Sequence, residues 1–241
     1  MKTLFLLDPG HGGLYPKGHA KEGEYTTAGK RSPLFNDRKF PDGTPFCLYE
    51  GVNNRDNVNR LLEEMQRHGL EAMDIVNDWR DISLNERIRR INELARTRNC
   101  VLISIHSNGH SYSYINKEKT IRYEVGKHDP KIKKYYKREW TSGQGIDVFL
   151  YNGTVSRNSE RMANFAAQEL KCNLTLEPGG VMRWRGIKKR NFAMLRETKC
   201  PALLIEAGFH TNKTETELIL TDSFKDKLIK SIVDACVLYG N

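Results

Sequence analysis

The sequence has no hydrophobic run long enough to cross a membrane. Apolar stretches such as Leu4-Phe5-Leu6-Leu7 and Ala202-Leu203-Leu204-Ile205 fall far short of the ~20 residues that a spanning helix needs. A secretory leader is not expected either. The apolar run after Met1-Lys2 stops at Asp8, before the ~7–15-residue apolar core of a signal peptide is complete. Cysteine is scarce: there are five, an odd number, and none in CxxC spacing. That argues against a disulfide framework or a cysteine-rich zinc module, and free thiols suit a reducing compartment. No internal repeat or low-complexity linker divides the chain.

What remains is the composition of a globular protein. Of 241 residues, 38% are hydrophobic and 19 more are glycine, about 46% apolar and inside the usual ~45–50%. At ~150 residues per domain, one large α/β domain is a natural reading. The net charge of +9 is uneven, with nine basic and four acidic residues between Ser111 and Ser142. A second cluster is Arg183, Arg185, Lys188, Lys189 and Arg190. Such a field suits acidic partners, among them nucleic acid, an anionic cell wall or a phospholipid surface.

Short apolar strands alternate with amphipathic helices. Strands are predicted at 3–7, 70–76, 100–105, 146–150 and 202–205, and helices at about 53–68, from the Ser83-Leu84-Asn85-Glu86 capping box, at 157–170 and near 223–238. Leu84, Ile88, Ile91 and Ala95 share one side of the second helix. The alternation predicts a single α/β domain over 1–241: a twisted, mostly parallel sheet with helices on both faces and its active site at the C-terminal ends of the strands. Two segments break the rhythm. Residues 14–49 form a long Gly- and Pro-rich loop, of a kind that is commonly functional or partly disordered. Residues 111–142, basic and bearing Tyr112, Tyr114, Tyr123, Tyr135, Tyr136 and Trp140, read as an inserted flap whose aromatics form a small core or pack on sugar rings.

Three of the strands lead into ionisable residues: the first to His11, the third to His106 and the last to Glu206. Adjacent strand ends let distant residues converge. A carboxylate at the mouth of a buried strand is expensive unless it is paired or faces a metal, and two histidines at neighbouring mouths are a natural zinc pair. A third ligand would come from a nearby loop or helix start. Glu50, just before the first helix, is preferred over Glu22 and Glu24, which have no element to orient them. Each residue alone has a plainer reading, as a turn histidine or a helix-capping acid.

The segments Leu7-Asp8-Pro9-Gly10-His11-Gly12-Gly13, Ser104-Ile105-His106-Ser107-Asn108 and Leu204-Ile205-Glu206-Ala207-Gly208-Phe209-His210-Thr211-Asn212 closely resemble the zinc-dependent N-acetylmuramoyl-L-alanine amidases of the Amidase_3 type. Arg80-Asp81-Ile82-Ser83-Leu84 with Arg87 and Asn92, and Gly145-Ile146-Asp147-Val148-Phe149-Leu150, fit the same family in the same order. The stretch Ala28-Gly29-Lys30-Arg31-Ser32-Pro33 with Asp42-Gly43 is similar to amidases of phage origin. The resemblance implies a zinc ion held by His11, Glu50 and His106, with Glu206 as catalytic acid–base. It implies cleavage of the bond between N-acetylmuramic acid and L-alanine in peptidoglycan. It further implies a phage lysis enzyme made in the host cytoplasm that reaches the wall through a holin or in the virion. The gap from His11 to Glu50 is longer than is common in the family, and 111–142 has no counterpart in a minimal member.

No separate wall-binding domain is read, and the protein is expected to be a monomer with no specific nucleic-acid partner and no membrane insertion. The competing readings are another zinc peptidase or amidohydrolase acting on stem peptides, a non-catalytic peptidoglycan-binding module, and, from the charge, a nucleic-acid-binding protein without a recognisable reading motif.

Overall fold

The structure is a computed structural model that describes residues 2–110, the backbone of 113–115 and 120–122, and residues 140–175 and 182–240. Strand β1 (Leu4–Pro9) is buried along its whole length, which is why its Leu4–Leu7 stretch is continuously apolar rather than alternating. Helix α1 (Glu50–Arg67) and β2 (Glu71–Asp74) follow the long loop, then α2 (Leu84–Leu94) and β3 (Cys100–Asn108). Two short strands, β4 (Ser113–Ile115) and β5 (Thr120–Arg122), pair with one another as a separate antiparallel sheet. The chain continues through β6 (Ile146–Tyr151), α3 (Arg157–Thr175), β7 (Trp184–Arg190), α4 (Ala193–Arg196), β8 (Ala202–Phe209), α5 (Lys213–Ile219) and α6 (Asp222–Gly240).

The main sheet has the strand order β2-β1-β3-β8-β6-β7. β2, β1, β3 and β8 run parallel. β6 pairs antiparallel with β8, and β7 follows β6. One face of the sheet packs on α1, α3 and α6 through Leu61, Met162 and Leu228. The other packs on α2 and α4 through Ile88, Ile91 and Met194. The expected mostly parallel sheet with helices on both faces is therefore present. With β6 and β7 reversed, the C-terminal ends of β1, β3 and β8 lie beside the N-terminal ends of β6 and β7.

Several boundaries differ from the sequence reading. Helix α1 begins at Glu50 rather than near Asn53. Its first turns carry the buried polar residues Asn53, Asn54 and Asn57, so the apolar periodicity starts only at Val58. The capping box at Ser83 is half formed. Ser83 Oγ accepts from Glu86 N, but the Glu86 carboxylate pairs with Arg89 and Arg90 instead of reaching back. Leu84, predicted on the buried side, is 52% exposed; it lies in the first turn, where the core under Ile88 and Ile91 does not reach. The basic cluster 183–190 proved to be mostly strand β7, at the edge of the sheet, where Lys and Arg discourage pairing with another chain. Tyr112, Tyr123, Tyr135, Tyr136 and the Tyr114 side chain lie outside the described residues. Trp140 is described and packs edge-on against Phe35, with ring centroids 4.9 Å apart.

Candidate metal centre and catalytic site

His11 follows directly on the β1–Pro9-Gly10 turn and has φ 67°, left-handed backbone that costs a non-glycine residue about 1–3 kcal/mol. Two guanidinium groups hold it there. Arg55 Nη1 and Arg87 Nη2 donate to the His11 carbonyl at 2.7 and 2.9 Å. Arg87 also donates to Asp8 Oδ1 at 2.6 Å and to the Pro9 carbonyl at 2.7 Å, and Ser104 Oγ donates to the other Asp8 oxygen. The Arg87 and Asp8 side chains are 3% and 1% exposed. Removing one partner of such a buried pair costs about 3–5 kcal/mol, so the turn that carries His11 is held rigidly.

His106 lies within β3 and Glu206 within β8, and the two are register partners. Both strands run on beyond these residues rather than ending before them. Gly10 makes room for the histidine: a Cβ at Gly10 would lie 2.1 Å from His106 Cε1. Glu50 comes from the start of α1, which approaches the His11 turn so closely that a Cβ on Gly51 would lie 1.9 Å from the Gly12 carbonyl oxygen.

The long loop before α1 is ordered by aromatic contacts. Neighbouring ring centroids along the series Trp140, Phe35, Phe46, Phe40, Tyr49 and Tyr25 are 4.9, 5.6, 4.9, 5.7 and 4.5 Å apart. At its end the Tyr25 hydroxyl accepts from Gly51 N at 2.8 Å, tying the loop to the turn that aims Glu50.

The result is one tight group. His11, Glu50 and His106 each offer a ligand atom, and these lie within 4.8 Å of one another. Glu50 Oε1 is 3.3 Å from His11 Nε2 and 3.0 Å from His106 Nδ1. A tetrahedral ion with bonds of ~2.0–2.2 Å would separate its ligands by about 3.4 Å, so two imidazoles and a carboxylate at these spacings fit a divalent metal. The alternatives from the loop do not join them. Glu22 and Glu24 are exposed, and Glu22 caps Gly18 N instead.

Burial by itself would push the Glu50 carboxyl up, but the charge of His11 and hydrogen bonds from both histidines hold it well below the usual carboxylate range. Burial lowers His11. His106 is also desolvated, yet its bond to Glu50 and the nearby acids raise it. Burial pushes Glu206 up to about 8, against the opposing charge of His106, and among the described residues its Oε2 has no hydrogen-bond partner. An unpaired buried carboxyl is costly, and groups with shifts of this kind cluster at functional sites.

Two residues here were not singled out from sequence. His210, just past β8, is 3% exposed. Its Nδ1 lies 2.9 Å from the Ser107 carbonyl oxygen and 3.9 Å from Glu50 Oε2, and burial lowers it to about 4. Asp147, the register partner of Glu206 on β6, is fully buried and pairs with Arg185 and Lys188. The signal for both was available: His210 stands in the Glu206 segment itself, and Asp147 is a lone acid in an apolar strand.

Comparison with known proteins agrees with this geometry. Residues 5–237 match the family described as N-acetylmuramoyl-L-alanine amidase, Amidase_3. A probable cell wall amidase, LytH, of Staphylococcus aureus is 34% identical over 101 residues, 42% of this chain and 31% of that protein. The match thus spans about a third of the length of such relatives. The catalytic domain of CwlV, an N-acetylmuramoyl-L-alanine amidase from Bacillus (Paenibacillus) polymyxa var. colistinus, superposes with a TM-score of 0.64 at 20% identity, covering 99% of this chain and 98% of that one. The catalytic domain of the CD27L endolysin targeting Clostridia difficile gives a TM-score of 0.58 at 19% identity, with 99% and 98% covered. These two likenesses establish the fold.

Proposed function

The chain belongs to the N-acetylmuramoyl-L-alanine amidase family, and on that premise we propose that it is a zinc-dependent hydrolase of the amide bond between N-acetylmuramic acid and L-alanine in peptidoglycan. The observation that carries this reading is the convergence of His11, Glu50 and His106, with Glu206 in register beside His106.

In this proposal His11, Glu50 and His106 hold the zinc ion. When bound, zinc supplies Lewis-acid polarisation of a carbonyl and lowers the pKa of a water. Glu206 takes a proton from the attacking water and passes it to the L-alanine amine as the C–N bond breaks. Its raised affinity for protons suits a group that must bind one and release it near neutral pH. The Asp8–Arg87 pair and Arg55 keep the His11 backbone fixed, so that the histidine does not reorganise as substrate enters.

Digestion of purified peptidoglycan with and without a chelator, followed by mass analysis of the fragments, tests the reading. Free stem peptides beginning with L-alanine and an intact glycan, both lost on chelation, are expected. Cleavage at another bond, or activity indifferent to the chelator, would overturn it. Within the same proposal the chain is a phage lysis enzyme, which the shared fold of an endolysin catalytic domain supports. Expression with and without a holin tests that role: abrupt lysis only with the holin is expected, and its absence assigns the chain to wall remodelling.

A further inference from the structure

The long loop before α1 carries a lysine to the metal centre. Arg31 and Tyr49 oppose one another in a short antiparallel bridge. On one side of it Glu50 N donates to the Lys30 carbonyl at 2.9 Å, and on the other Ser32 N donates to the Leu48 carbonyl at 2.8 Å. Leu48 N in turn donates to Ser32 Oγ at 3.0 Å. In such a ladder directly opposed residues present their side chains to the same face, and alternate residues of one strand share it. Ser32 and Leu48 are buried, which marks the inward face. Lys30 lies across from Glu50 on that face, while Arg31 and Tyr49 belong to the other.

Lys30 is half-buried. The Glu50 carboxylate opposite it is taken up by His11 and His106, and among the described residues no acid forms an ion pair with the Lys30 ammonium. Its charge nevertheless acts on the site. Burial is the first influence on His11, Glu206 and His210, and Lys30 lowers the proton affinity of all three. These side chains come from the turn after β1, from β8 and from the residue just past β8, so the ammonium faces the centre they surround. A cation beside a site for a divalent ion is repelled when that ion binds. The repulsion is offset where negative charge develops between the two.

We propose that Lys30 is a further catalytic residue, whose ammonium donates a hydrogen bond to the scissile carbonyl oxygen as that oxygen becomes anionic. The proposal rests on the amidase reading and deepens it. When water attacks, a C–O bond forms at the carbonyl carbon, the C=O π pair moves onto the carbonyl oxygen, and a proton of the water goes to Glu206. Lys30 keeps its own proton and faces the new negative charge. On collapse the pair returns to the carbonyl, the C–N bond breaks, and the leaving nitrogen takes the bonding pair and the proton held by Glu206. A carboxylic acid and an amine result, and they ionise in water. A donor fixed in place before the reaction acts on the charged oxygen more than on the neutral substrate.

The test compares the zinc-loaded wild type, Lys30→Met and Lys30→Arg on a muramoyl-L-alanyl peptide and on its phosphinate analogue, in which a tetrahedral, anionic phosphorus group stands for the reacting carbonyl. Lys30→Met is expected to lose about a hundredfold in kcat with KM little changed, and to lose a similar factor in phosphinate affinity. Lys30→Arg should recover most of both. Competition with a chromophoric chelator should show Lys30→Met binding zinc as tightly as the wild type or more tightly, because a repelling charge is gone. Unchanged kcat in Lys30→Met, a loss of kcat with phosphinate affinity intact, or an arginine variant no better than the methionine one overturns the role of Lys30. So does weaker zinc binding or a lost folded spectrum in Lys30→Met, which makes the residue a structural support of the loop. Failure of the wild type to cleave the peptide overturns the amidase reading, and the role of Lys30 with it.

Discussion

The Nδ1 of His106 lies 3.0 Å from Oε1 of Glu50, although one residue sits in the middle of the sheet and the other opens a helix on its far side. A buried carboxylate held low by two imidazoles is poised for a cation rather than for a proton. Glu50→Gln keeps the shape and removes the charge. The variant is expected to retain its circular dichroism spectrum but to lose at least tenfold in zinc affinity, measured by competition with a chromophoric chelator. Unchanged affinity would remove Glu50 from the metal site.

Gly10 is where the metal site and the backbone compete for space. In Gly10→Ala the new methyl would stand 2.1 Å from His106 Cε1, so the ring must move. Overpacking of this kind costs about 1–3 kcal/mol. Thermal unfolding should show that loss, and zinc titration should show weaker binding than the wild type. Wild-type zinc affinity in the alanine variant would mean that His106 is not a ligand in the position seen here.

Glu206 gives the metal-free protein a pH signature. Its folded-state value of about 8 lies above the ordinary 4.5, so the folded form keeps a proton that the unfolded chain releases between those values. The stability this confers is complete below about 4.5 and is lost as pH rises through about 8. Melting temperatures of the metal-free protein should fall over that window, and Glu206→Gln should flatten the fall. The same variant should bind zinc yet lose most of its turnover. Full activity would exclude Glu206 from the reaction.

His210 acts in the opposite sense. Burial lowers it to about 4 from the ordinary 6.5, so the unfolded chain takes up a proton first. Its contribution to stability is present above 6.5 and is lost as pH falls through about 4. Acid unfolding of metal-free His210→Gln should begin at lower pH than in the wild type. An identical midpoint would show that the histidine is not held neutral in the fold.

How much of this was legible varies residue by residue. His11, His106 and Glu206 were readable because each lies at or shortly after a mostly apolar run, and such runs are buried strands that meet side by side in an α/β sheet. Glu50 was a preference over Glu22 and Glu24; what separates them is the aromatic series from Trp140 to Tyr25 and the contact of Gly51 with Gly12. Helix α1 starts earlier than its pattern suggested because Asn53, Asn54 and Asn57 are buried polar residues that break the apolar periodicity.

By itself, the sequence determined the alternation of strands and helices, the absence of a membrane-spanning run and the three chemically marked strand mouths. These follow from local burial and periodicity, which each segment carries within itself. Only the tertiary structure decided that β6 and β7 run against β8, that a bulge turns Arg185 onto Asp147, and that His106, Glu206 and Asp147 share a row. Register and strand direction depend on which distant segments pair, and no window of neighbouring residues contains that information.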